Sequence, residues 1–315
     1  SLNGHLHNYL PGIKSSNKKN IIIADLLTHR AGLSPFIPFY KDIQTVKDLE
    51  TSVLSTDSTG VFAIPVANHL FLNANYMATM KQRILKSEIK NRGKYVYSDL
   101  SFYFLKEVLE AQSKTPIDEF VSNTFYKKLG LNYLGYLPYR KFPMANMMPT
   151  ENDLSFRKQL VQGYVHDQTA AMFGGVAGHA GLFGNANDVA IIMQMLLNKG
   201  SYGGEAYFKP ETVNLFTAQY HADSRRGLGF DKPETEQGKT SPTALAVSPQ
   251  TYGHTGFTGT CTWVDPAYDL VYVFLSNRVY PSTENKKMLE MNLRTEIQGV
   301  IYNSFYEMLV HEIKK

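Results

Sequence analysis

Late in the chain two runs, "CTWVD" over 261–265 and "LVYVFLSNR" from Leu270, are separated by turn residues from Pro266 to Asp269. Val, Thr, Trp, Tyr and Phe suit a pleated, half-buried surface, and a short turn between two such runs makes them antiparallel neighbours. Such a sheet must cover its apolar face with something. The segments on either side read as helices, including a long terminal one over about 284–313. The pattern sets the fold class as α+β: an antiparallel sheet flanked by helices, with the N- and C-terminal portions sharing one core.

Upstream, three isoleucines precede a short helix over 24–30 that Gly32 can end, because glycine enters the left-handed region without a Cβ clash. From Ser34 to about Asn91 the pattern is irregular, with one helix near 75–86. "YSDLSFYFLKEVLEAQ" places Ser98 or Asp99 as cap ahead of Leu100, Phe104, Leu105 and Val108, the spacing of one helix face. Thr115-Pro116 opens another helix, with Ile117, Phe120, Val121 and Phe125 inward and Gly130 at its end. "GGVAGHAGLFGNANDVAIIMQMLLNKG" then runs from a glycine-laden loop into a helix capped near Asn187 and closed by Gly200. This reads as one domain over 1–315, with a largely helical or loop-rich subdomain over 34–250 and the sheet strands and C-terminal helix over 251–315.

Hydrophobic residues at 43% and charged residues at 19% describe a folded chain rather than a disordered one. The formal charge, 32 − 28 = +4, is scattered rather than striped, so no nucleic-acid partner is expected. Cys261 is the single cysteine and reads as an inert core thiol. No apolar run approaches the roughly 18 residues a membrane helix needs. The nine histidines are scattered, H-E-x-x-H is absent and no Gly-Lys-Ser or Gly-Lys-Thr follows "GGVAGHAG", so no metal, phosphate or other cofactor is expected.

A hydroxyl nucleophile needs a base for its proton, a cation or donor to tune that base, and aimed N–H groups for the developing oxyanion. Tyr97, at the mouth of a helix whose dipole favours negative charge, can serve as such a base. Equally, it is one of twenty tyrosines, and Asp99 is a helix cap. His254-Thr255-Gly256 occurs once and lets a substrate approach a strand backbone closely; its plainer reading is a strand with a glycine bulge.

"DLLTHRAGL", "YSD", "GGVAGHAGLF" and "GHTGFTGT" occur in that order, and together they resemble the serine β-lactamase and penicillin-binding protein superfamily, in particular its class C and esterase branch. The resemblance covers nearly the whole chain and implies a β-lactamase/transpeptidase-like fold and a serine hydrolase working through an acyl-enzyme on an amide, peptide or ester. It assigns Tyr97 as base or base partner and puts Asp99 where the family has asparagine. His254, Thr255 and Gly256 fall on the K-T-G strand, and the Phe257 N–H becomes an oxyanion donor. A titratable imidazole thus replaces a fixed lysine charge, so carboxylate recognition is expected to weaken above a pKa near 6.5.

"VHDQTAAMFGGVAGHAGLF" is similar to a subgroup of muropeptide amidases and esterases, some fused behind a family 3 β-N-acetylglucosaminidase. His166, Asp167 and His179 then belong to a substrate loop, the other reading being hydrogen bonds that hold the loop. A muropeptide or other small-molecule substrate, a fused glycosidase domain upstream and a periplasmic or cell-envelope site follow from the resemblance alone. The family's S-x-x-K is missing from its place. Its spacing recurs at Ser15, Ser16, Ser87 and Ser155, all in polar surroundings. The nucleophile and first strands are therefore expected before residue 1, in a domain truncated at its N-terminus. That would bare Leu26, Leu27 and residues 271–274 and lead the fragment to oligomerise or to recruit a complementing partner. The alternative function is a non-catalytic muropeptide-binding or scaffold module.

Overall fold

The structure, a computed structural model, describes residues 1–45 and 49–313 and divides into two compact units. The first comprises Ser1–Phe183 with Tyr280–Ser282, the second Gly184–Val279 with Thr283–Lys315.

In the first unit, helix α1 (Ile23–Leu27) stops earlier than its apolar pattern predicts. Thr28 turns its hydroxyl back onto the Ala24 carbonyl at 2.8 Å, and His29 enters the left-handed region at φ 56°. Gly32 follows at φ 73°, where a Cβ would meet the Lys90 carbonyl oxygen at 2.6 Å, so both the turn and the close approach require glycine. The irregular segment that follows holds an unforeseen hairpin, β1 (Phe62–Ala67) with β2 (Leu70–Asn73), whose register shifts around Pro65. Helix α2 (Tyr76–Lys86) lies where predicted and buries Met80 and Ile84. Helix α3 (Asp99–Ser113) starts after an extended Ser98, buries Leu100 and Phe104, and ends at Lys114 with φ 57°. The helix opened by Pro116 runs over Ile117–Val121 and widens through Ser122–Tyr126; its apolar residues are only partly buried. A second hairpin, β3 (Pro149–Asp153) with β4 (Gln159–Gln162), precedes the short helix α4 (Gln168–Met172). Leu26, Phe39, Leu72, Met80, Phe104 and Met172 share this unit's core.

In the second unit, helix α5 (Ala186–Leu197) is capped by Asn185, two residues before the expected cap, its side chain accepting from the Asp188 N–H at 2.8 Å. The predicted sheet is present: β5 (Tyr252–Thr255), β6 (Cys261–Asp265) and β7 (Leu270–Phe274) pair antiparallel in that order. Alternation sends its two faces to different helices. Tyr252 and Val264 pack with Met193 and Leu197 of α5, whereas Cys261, Trp263 and Tyr272 meet Ile297 and Ile301 of α6 (Leu293–Ile313). The terminal helix is interrupted ahead of α6 by Asn292 at φ 48°. Burial pushes the Cys261 thiol up to about 11, matching its reading as an inert core group. Leu26, expected to be bared, is fully buried, and Val271, Val273 and Phe274 are half-buried.

Among the described residues no helix is long and apolar enough to cross a membrane.

Candidate active site

In the first unit three expected residues come together from three elements. Asp99 is the first residue of α3, Asp167 caps α4, and His179 lies in the glycine loop. Their nearest ligand-type atoms all fall within 4.8 Å of one another. Asp167 Oδ1 accepts the Ala170 N–H at 2.6 Å and lies 3.2 Å from His179 Nε2. Gly178 makes this approach possible, because a Cβ there would sit 2.2 Å from the Phe102 carbonyl oxygen of α3. The Tyr136 hydroxyl donates to the Ala177 carbonyl at 3.1 Å and fixes the loop from another side.

Burial raises the Asp99 carboxyl above its ordinary range, an effect the His179 charge opposes and the Asp167 carboxylate reinforces. Asp167 is pushed up by burial too, but its bond to His179 and that ring's charge win and hold it below the ordinary range. Burial drives the His179 ring down, while the Asp167 bond and charge, helped by Asp99, bring it out above the ordinary histidine value. His179 therefore holds its proton more tightly than an ordinary histidine, and Asp167 gives up its proton more readily than Asp99.

His166 is held differently. Its Nδ1 lies 2.9 Å from Glu151 Oε1, and its carbonyl accepts from the buried Arg157 at 2.8 Å. Arg157 donates its Nε to Asp153 at 2.7 Å and one Nη to the Val165 carbonyl at 2.6 Å, and it pairs with Glu151. A planar guanidinium thus ties the β3–β4 hairpin to the segment that delivers His166 and Asp167. Tyr97 is 42% exposed and packs at 4.3 Å against the ring of His29, which is buried.

In the second unit His254 sits on β5 with both ring nitrogens engaged. Nδ1 lies 2.7 Å from the Thr255 carbonyl, which can only accept, so Nδ1 carries the hydrogen and Nε2 accepts from Arg226 Nη1 at 2.8 Å. Burial, then the Arg226 charge, lowers its pKa below the ordinary value. The imidazole, accepting from Arg226, is accordingly neutral in this arrangement, so the charge expected of His254 is not developed here. Arg226 and Arg225 share the buried Asp231, at 3.3 Å and 2.7 Å, while Glu234 lies 3.4 Å from Arg225. Asp231 also pairs through its backbone with Gly253, so the strand edge and the charge cluster are built together.

Thr255 helps to line a cleft of about 270 Å³ with Arg225, Ser241, Met288 and Arg294. Arg294 Nη1 donates to the Gly256 and Thr260 carbonyls at 3.2 Å and 3.0 Å. Phe257 lies in the β5–β6 turn, 65% exposed, with its carbonyl accepting from Arg278 Nε at 2.8 Å. Arg226, Asp231 and Arg157 were not singled out in the sequence: their mutual ion pairs join residues four to six apart, a spacing common on any charged surface, and only burial and the Arg226 bond to His254 set them apart.

The description β-lactamase belongs to the family whose model matches residues 1–294. Proteins from Salmonella gallinarum and Salmonella agona named "Putative D-alanyl-D-alanine carboxypeptidase" are each 31% identical over 316 residues. Those alignments cover 96% of this chain and 67% of the relative, so the chain spans about two thirds of their length. Among solved structures, a penicillin-binding protein homolog from Caulobacter crescentus is 18% identical with a TM-score of 0.57, covering 88% of this chain and 71% of its own. Simvastatin synthase from Aspergillus terreus, as the LovD9 mutant, is 14% identical with a TM-score of 0.60, covering 97% and 78%. At these identities the two structures speak to the fold.

Proposed function

Since this chain belongs to the β-lactamase family, we propose that it is part of a serine hydrolase that forms an acyl-enzyme on a peptidoglycan-derived peptide, one ending in D-alanyl-D-alanine. The observation that carries this reading is the Arg226–His254–Thr255 wall beside the cleft. A peptide with a free C-terminus brings a carboxylate, and its recognition needs positive charge that does not vanish at neutral pH. Arg294, which lines the cleft, supplies it, while Arg226, paired with the buried Asp231, bonds the neutral imidazole that holds Thr255 in place. Carboxylate binding by this wall persists above pH 6.5, unlike binding by an imidazolium.

In this reading Tyr97 takes the nucleophile's proton, and Asp99 stands where the family has asparagine. Thr255 and Gly256 hold the substrate, and the Phe257 N–H meets the oxyanion. His166, Asp167 and His179 shape the substrate loop. The nucleophilic serine comes from outside these 315 residues. Three of the serines with S-x-x-K spacing are engaged in other hydrogen bonds: Ser16 donates to the Leu85 carbonyl, Ser87 to the Ile84 carbonyl and Ser155 to Asp153. Lys18, three residues after Ser15 in a stretch expected to be a polar loop, is fully buried and bonded to Asn17 and the Ser87 carbonyl, and burial lowers it to about 8.

The test uses the full-length protein. A fluorophosphonate should label one serine preceding this segment, D-alanine should be released from a D-alanyl-D-alanine peptide, and Tyr97→Phe should cut kcat by roughly 10²- to 10⁴-fold. Absence of an adduct, with muropeptide still bound in calorimetry, would instead establish a binding module without chemistry.

A further inference from the structure

His29 closes the "LLTH" stretch and is buried, at 2% exposure, with its backbone in the left-handed region at φ 56°. Histidine, like asparagine, is among the non-glycine residues that enter this region most readily. The contacts show what the ring adds. The His29 carbonyl accepts the Val96 N–H at 2.9 Å, and its Nδ1 accepts the Ser98 N–H at 3.1 Å. Between those two points its ring packs against Tyr97, centroids 4.3 Å apart and planes at 30°. The imidazole is itself wedged by Phe102 at 5.5 Å and by the edge of Tyr95 at 6.1 Å. Because Ser98 donates to Nδ1, that nitrogen carries no hydrogen, and in this arrangement the ring is neutral with its hydrogen on Nε2.

We propose that His29 is a positioning residue for the phenol of Tyr97, a role that rests on reading Tyr97 as the general base. A half-exposed tyrosine at the mouth of a helix would otherwise sample several rotamers. Here the backbone is pinned on both sides of it and one ring face lies on an immobile imidazole, so the hydroxyl is presented along one direction. Misplacing a catalytic group by about 1 Å can cost on the order of 10²-fold in rate, so this support is large enough to measure.

In the full-length protein His29→Asn keeps an acceptor near the Nδ1 position and a residue that tolerates the backbone, but removes the ring. The expected result is a cooperatively folded variant with a urea midpoint lowered by the lost ring packing, KM within about twofold, and kcat lower by roughly tenfold to a hundredfold at full folding. In a Tyr97→Phe background the same substitution should have no further effect on kcat, which a general loss of folding would not produce. Wild-type kcat in H29N beside a crippled Y97F overturns the positioning role and leaves the proposed function standing. A second loss of equal size in the double variant also overturns it. Full activity in Y97F removes the base, and this role with it.

Discussion

Asp99 stands where a helix dipole welcomes an anion and where burial does not, and burial wins. The sign of its effect on stability follows. A carboxyl whose folded pKa is raised favours the folded state least once it has to ionise, so stability falls as pH climbs from about 4 through the folded value. Asp99→Asn removes that penalty and supplies a donor, while the proton on His179 remains held mainly by Asp167. D99N should therefore melt higher than wild type at pH 7 and at the same temperature at pH 3, by calorimetry at both values. A lower melting temperature at pH 7 would mean that the Asp99 charge stabilises the cluster instead. The start of α3 at Asp99 was legible in sequence because a cap and an apolar face mark it. Arg226 was not, because its bond to His254 spans 28 residues and leaves no periodic trace.

The β3–β4 hairpin, α4 and the glycine loop show how elements deliver side chains that no single one could place. Arg157 is the joint: its side chain is fully buried, and its donors serve Asp153, Glu151 and the carbonyls of Val165 and His166. Arg157→Met leaves two buried carboxylates without their cation, a loss of about 3–5 kcal/mol when one partner of such a set is removed. Arg157→Lys should recover only part of it, since an ammonium cannot reproduce the planar fork. Urea unfolding should show the midpoint falling in the order wild type, R157K, R157M; equal midpoints would show that the clamp is dispensable. At this scale the long helices and the strands β5, β6 and β7 could be read from periodicity and turn residues. The β1–β2 hairpin could not, because Pro65 interrupts the alternation and in the Asn68-His69 turn it is histidine, not glycine, that follows the asparagine, at φ 48°.

Across the whole molecule the least finished surface is an edge of the sheet in the second unit. Among the described residues β7 is hydrogen-bonded on one side only, to β6, whereas the outer side of β5 meets the Asp231 bridge. An unpaired strand edge templates pairing with another chain, and Leu275, 40% exposed, adds apolar surface next to it. These 315 residues expressed by themselves should therefore associate, and light scattering should report a mass above 35.5 kDa that falls when a lysine replaces the half-buried Val273 of this strand. A monodisperse monomer at micromolar concentration would show that the β7 edge needs no partner. Association unchanged by Val273→Lys would place the contact on another surface.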